Sequence, residues 1–218
     1  MRIDEAESGR VGEIVERLRA AYPAATCSLR FETPLQLLVA TILSAQCTDE
    51  RVNAVTPALF TAYPTAEAFA AAPPEELEAA IKPTGFYRNK AKHIQGACRL
   101  LAERHGGEVP RTMDELIALP GVARKTANVV MGNAHGIVEG VVVDTHVGRV
   151  ARRLALTESQ DPVRVEADLM AALPPAEWLD FSHRVIAHGR AVCKAPQPVC
   201  PACTLNNICP SSTVAAVS

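Results

Sequence analysis

An amine can attack carbon, a carboxylate can steady a developing positive charge, and thiolates can hold metal, and this sequence contains one candidate group for each task. Lys125 lies in Leu119-Pro120-Gly121-Val122-Ala123-Arg124-Lys125-Thr126-Ala127-Asn128. A lysine amine attacks only when neutral, and a helix N-terminus together with Arg124 disfavours the ammonium form. Asp144 lies in Val141-Val142-Val143-Asp144-Thr145-His146-Val147. An aspartate before a helix ordinarily serves as an N-cap. Near a lysine it has a second use, stabilising positive charge on a sugar and assisting proton movements around the amine. Cys193, Cys200, Cys203 and Cys209 follow the spacing C-x6-C-x2-C-x5-C and precede Pro210. Four thiolates with one close pair and two wider gaps can wrap a [4Fe–4S] cluster. Tetrahedral zinc is the rival, although structural zinc sites tend to use two close pairs. Disulfides rank last.

Each of these groups needs an element to position it. Asp114-Glu115-Leu116-Ile117 reads as an amphipathic helix that runs into the Pro120-Gly121 turn, after which a second helix begins at once. The first amides of that helix lack intrahelical partners and its dipole is positive there, so they can hold a phosphate. This is the helix-hairpin-helix design, which grips a DNA strand by its backbone without reading bases. An ordinary tight helix connection is the alternative. Elsewhere apolar residues recur at helical spacing: Val11, Ile14, Val15, Leu18; Leu35, Leu38, Val39, Ile42, Leu43; Ile94, Ala97, Leu101; Val147, Val150, Leu154. Turn signals such as Ala72-Pro73-Pro74, Pro83-Thr84-Gly85 and Leu173-Pro174-Pro175 bound them. Only Val141-Val142-Val143 looks strand-like, and it is too short for a sheet. The expectation is an all-α chain of about nine or ten short helices, with a tail from Ser211 to Ser218 that frays.

Among 218 residues, 48 % are hydrophobic and only 4 % aromatic, which predicts an aliphatic, alanine-rich core in one large or two small domains. The start has no basic segment followed by an apolar one, and no run approaches a membrane span, so a cytoplasmic, nucleoid-associated location is expected. Of the seven cysteines, Cys27, Cys47 and Cys98 read as small core residues. A net charge of −2 argues, by itself, against a nucleic-acid partner. The average conceals an asymmetry: residues 1–81 hold 6 basic and 12 acidic residues, residues 82–157 hold 12 and 6, and residues 158–218 hold 4 and 6. The middle third is the candidate electrostatic footprint, with chance patchiness as the other reading.

Taken together, LPGVARKTANVV, the VDTH segment and the cysteine spacing resemble the endonuclease III family of bifunctional DNA glycosylases, as do Leu43 to Asp49 and Ile81 to Tyr87. The resemblance extends from about Arg17 to Pro210. It implies two helical domains flanking a DNA-binding cleft: a six-helix barrel over 28–137 bearing the helix-hairpin-helix, and a cluster domain from 1–27 and 138–218. It implies base-excision repair of double-stranded DNA containing an oxidised pyrimidine or an abasic site, with glycosylase and AP lyase activities, by a monomer. By position, Lys125 matches the nucleophile that attacks C1′ and Asp144 the catalytic carboxylate. Cys193, Cys200, Cys203 and Cys209 match the [4Fe–4S] ligands. Gln46 matches the residue that fills the hole left by the flipped nucleotide, and Phe86 the wedge pushed into the opposite strand, often leucine. The hairpin contacts fall on Leu119, Gly121, Ala123 and Thr126. A sodium or potassium ion held by hairpin carbonyls, including those of Leu119 and Val122, is also implied.

Two departures carry expectations of their own. Ala123 replaces a glycine, which impairs phosphate approach wherever positive φ is required there. Thr84 replaces an aliphatic residue beside the wedge, which predicts altered damage recognition. The related adenine-specific mismatch glycosylase fits less well, having serine at the Lys125 position and a further C-terminal domain. A non-enzymatic cluster protein, either an electron carrier or a DNA-bound redox sensor, is a different class of reading, and an electron carrier has little use for the hairpin, Lys125 or Asp144. A lapsed binder is separated only by an activity assay.

Overall fold

The computed structural model describes residues 5–214 and contains no strand among them. Among the described residues eleven α-helices follow one another: α1 (Glu5–Ala21), α2 (Pro34–Leu43), α3 (Asp49–Ala62), α4 (Ala66–Ala71), α5 (Pro74–Ile81), α6 (Tyr87–His105), α7 (Met113–Ile117), α8 (Arg124–Val130), α9 (Thr145–Arg153), α10 (Pro162–Ala172) and α11 (Trp178–Ala191). Three-residue 3-10 turns cover Lys82–Thr84, Pro175–Glu177 and Cys200–Ala202, and a π turn over Met131–His135 extends α8. The count exceeds nine or ten because an element as short as α4, six residues long, spans fewer than two helical turns and leaves no stripe to read.

Local chemistry explains where these helices start. Thr33, Thr48 and Thr65 stand in extended backbone before α2, α3 and α4, and each hydroxyl accepts an orphan amide of the first turn. Pro34, Pro74 and Pro162 occupy first helical positions, where a missing N–H costs nothing.

The chain divides into two compact units, one of 27–139 and one formed by 1–26 with 140–218. In the first, α2 to α8 surround a core that includes Leu37, Leu43, Phe69, Ile94 and Leu101. In the second, the apolar stripe of α1, Val11, Ile14, Val15 and Leu18, packs with Val150, Leu169, Phe181 and Val185. The Val141-Val142-Val143 run forms no strand. Buried Val142 instead donates its N–H to Ser182 Oγ at 3.1 Å, and Ser182 Oγ donates to Trp178 O at 2.9 Å. Cys98 is fully buried, and Cys27 and Cys47 pack against the same core half-buried. The fraying expected from Ser211 fails for its first part, since Ser212 N–H donates to Cys209 O at 3.0 Å. Residues 215–218 of that tail lie outside the described residues. Among the described residues no helix is long and apolar enough to cross a membrane.

Candidate active site and cluster loop

The hairpin is α7, the Pro120-Gly121 turn and α8. Val122 N–H donates to Leu119 O at 3.1 Å to close the turn, with Leu119 and Val122 buried beneath it. Gly121 has φ +78°, and a Cβ there would lie 2.7 Å from His93 Cβ on α6. Glycine is therefore required twice, for the left-handed backbone and for the close approach. Ala123 is different: its φ of −97° and ψ of 169° are extended backbone open to any residue. The expected penalty at Ala123 does not arise. It occupies the N-cap of α8, whose first turn presents Lys125 exposed and Thr126 half-buried.

Gln46 and Phe86 stand in loops of the same unit, both exposed, Phe86 at 64 %. Their φ values are +52° and +47°. Non-glycine residues in this region carry about 1–3 kcal/mol of strain and persist only where the surroundings enforce it, often at ligand-contacting sites. Thr84, expected beside the wedge residue, is buried, and its hydroxyl donates to Ile81 O at 2.8 Å.

Asp144 belongs to the other unit. It is the N-cap of α9, and its Oδ1 accepts from His146 N and Val147 N at 2.8 Å each. Capping and charge stabilisation are compatible, because a carboxylate engaged by amides is held at a fixed angle.

The four cysteines of the C-terminal motif line a single cavity, together with Arg153 and His188. Among the described residues no three His, Cys, Asp or Glu side chains converge closely enough to hold one metal ion. A single ion needs its ligands at one point. A four-iron cluster takes one thiolate at each corner and leaves the sulfurs apart. The donor set also suits a cluster. Arg153 Nη1 lies 3.3 Å from Cys193 Sγ and donates to Lys194 O at 2.8 Å, and Leu205 N–H donates to Cys203 Sγ at 3.4 Å. Hydrogen bonds from Thr213, first its side chain and then its backbone, hold the Cys200 thiol below its ordinary value. Burial pushes Cys203 and Cys209 up, and the charges of neighbouring cysteines add to it. Such a set ionises together only around a positively charged group. Burial lowers His188 to about 4, so its ring is neutral. Its Nδ1 meets Tyr22 OH at 3.0 Å and its Nε2 faces Cys203 Sγ at 3.6 Å. From α1, Arg17 ties the loop through Thr204 O at 2.8 Å and Asn207 Oδ1 at 2.5 Å.

The family model for HhH-GPD superfamily base excision DNA repair proteins matches residues 39–175. Endonuclease III of Synechocystis sp. is 59 % identical over 93 % of each chain. The chain belongs to the endonuclease III family. Two solved structures agree with this, a non-covalent endonuclease III–DNA complex and a trapped endonuclease III–DNA covalent intermediate. Each has a TM-score of 0.89 and 45 % identity, covers 94 % of this chain, and is itself covered to 95 % and 96 %.

Several positioning residues of this endonuclease III relative escaped the sequence reading. Arg149 and Arg153 sit four apart on α9 and both donate to the Cys193 carbonyl, at 3.1 and 3.4 Å for their closest contacts. The signal was two arginines at helical spacing whose partners lie some forty residues away. Lys90 is the second case: it is buried, with its ammonium on the carbonyls of Leu43 at 2.7 Å and Thr84 at 2.8 Å. Its signal was a charge in register with the buried stripe of Ala91, Ile94 and Ala97 on α6.

Proposed function

We propose that this chain excises oxidised pyrimidines from double-stranded DNA and cleaves the strand at the abasic site, with Lys125 as nucleophile and Asp144 as the catalytic carboxylate. The observation that carries the reading is the presentation of Lys125, exposed in the first turn of α8 just beyond the Pro120-Gly121 turn. Phosphate held at that turn brings the backbone of a damaged strand to the amine.

The neutral amine of Lys125 forms a bond to C1′ as the bond to the damaged base breaks, and the base leaves with the bonding pair. Asp144 stabilises the positive charge that grows on the sugar while its amide partners hold it in place. Ring opening gives a Schiff base to Lys125. The iminium acidifies the neighbouring C–H, a base removes that proton, and β-elimination expels the 3′ phosphate. Gln46 fills the space left by the extruded nucleotide, and Phe86 wedges the opposite strand, since extrusion costs a few kcal/mol of stacking and pairing. Leu119, Gly121, Ala123 and Thr126 line the phosphate contact, and the carbonyls of Leu119 and Val122 are the hairpin's candidate cation ligands.

A [4Fe–4S] cluster would be held by Cys193, Cys200, Cys203 and Cys209. It would supply iron–thiolate bonds that fix the loop and a redox couple that the excision steps, which transfer no net electrons, do not draw on. Borohydride reduction during reaction with an oxidised-pyrimidine duplex tests the proposal. The parent protein should give a covalent protein–DNA adduct and Lys125→Gln none, with DNA binding nearly intact. A Lys125→Gln adduct formed at the parent rate would assign the chemistry to another amine.

A further inference from the structure

Gln46 and Phe86 stand on separate loops in a backbone conformation that must be enforced by what surrounds it. One ammonium contacts the chain just before each of them. Lys90 Nζ donates to the carbonyl of Leu43, the last residue of α2 and three residues before Gln46. It also donates to the carbonyl of Thr84, two residues before Phe86, while the Lys90 backbone N–H donates to Phe86 O at 3.1 Å. Both side-chain acceptors end helical segments, where carbonyls run out of helical amides to meet.

The ordinary account of a buried polar group is that it is satisfied and merely holds the fold. Packing alone would place an apolar residue at this position of α6, in line with Ala91, Ile94 and Ala97. At 4 % exposure, burial lowers the pKa of Lys90, so the amine carries a desolvation cost that an apolar residue would avoid. Its hydrogen bonds go to the roots of the two loops.

We infer that Lys90 is a positioning residue that couples the Gln46 and Phe86 loops, so that filling the vacated base position and wedging the opposite strand occur as one event. This rests on the reading of those two side chains given under the proposed function. With Lys90 in place, neither loop can shift its root without straining a hydrogen bond to the ammonium shared by the other.

The test measures single-turnover excision of an oxidised pyrimidine in a fully paired duplex and in an unpaired bubble. Gln46→Ala, Phe86→Ala and the double variant are compared in the parent protein and in Lys90→Met. In the parent, the two alanine substitutions should be non-additive on paired DNA, because the loops act as a unit. Lys90→Met should slow excision from the paired duplex by about a hundredfold, the loss that an ångström-scale misplacement can bring. It should slow the bubble far less and make the two alanine effects additive. Lys90→Gln, whose amide can still reach one carbonyl, should retain part of the coupling and serves if Lys90→Met folds poorly. Equal slowing on both substrates with unchanged coupling would make Lys90 a structural residue only and overturn the inference. If Gln46→Ala and Phe86→Ala fail to distinguish paired from opened DNA in the parent, the reading of those side chains fails and takes the inference with it.

Discussion

On the proposed chemistry Asp144 has two separable tasks, and substitution can pull them apart. As an N-cap it satisfies two α9 amides through one oxygen. As an anion it also complements the positive end of the helix dipole, a term of about 0.3–1 kcal/mol. Asparagine caps about as well as aspartate, so Asp144→Asn should lose only that dipole term, and a chain of this size shifts by roughly 2–4 °C per kcal/mol. Alanine removes the cap as well, at about 1 kcal/mol more, so Asp144→Ala should melt some 3–8 °C lower. The chemistry should respond in the opposite proportion. Losing a fixed charge directed at the transition state costs about 10²–10³ in rate, so Asp144→Asn should excise bases that much more slowly while remaining folded. The assay pairs thermal melting with single-turnover base release and with β-elimination on a preformed abasic site, where the charge-dependent step has been bypassed. The reasoning is refuted if Asp144→Asn excises within about threefold of the parent, since no electrostatic task of the usual size would remain.

Cys200→Ser should remove the visible absorbance and lower bound iron, because one corner of the cluster loses its thiolate; stoichiometric zinc without iron in anaerobically prepared parent protein would reject the cluster. Gly121→Ala should weaken DNA binding and lower stability, through left-handed strain of about 1–2 kcal/mol and collision with His93, whereas Ala123→Gly should change DNA affinity little. Titration by fluorescence anisotropy compares the two directly, and equal effects would contradict the backbone geometry. DNA affinity should fall with added salt despite the net charge of −2, because residues 82–157 carry twice as many basic as acidic residues, and a salt-independent affinity would place the contact elsewhere.

The hairpin, the Asp144 cap and the four-cysteine loop were legible because each is written in neighbouring residues. Proline, glycine, aspartate and cysteine announce their local geometry through sterics, capping or ligand chemistry. The surroundings of Thr84 and of Val141 to Val143 were not legible, for the complementary reason. Whether a threonine faces solvent, or an apolar run finds a strand partner, depends on residues far away, here Lys90 in contact with the Thr84 carbonyl and Ser182 in contact with Val142. Lys90 itself joins positions 43 and 84, and no spacing rule connects them.

The unit formed by 1–26 and 140–218 also constrains the order in which the molecule is made. Helix α1 is translated before the 27–139 segment, yet the partners of its apolar stripe, among them Val150, Leu169 and Val185, are translated after it. At elongation rates of about 5–20 residues per second, roughly 7–33 seconds separate them. During that interval the 27–139 segment, contiguous in sequence and with its own core, can complete its folding. Until those partners are made α1 exposes Val11, Ile14, Val15 and Leu18, so chaperone capture in that interval falls on α1, and the cysteine loop that α1 clasps through Arg17 closes only after residues 140–209 have been added.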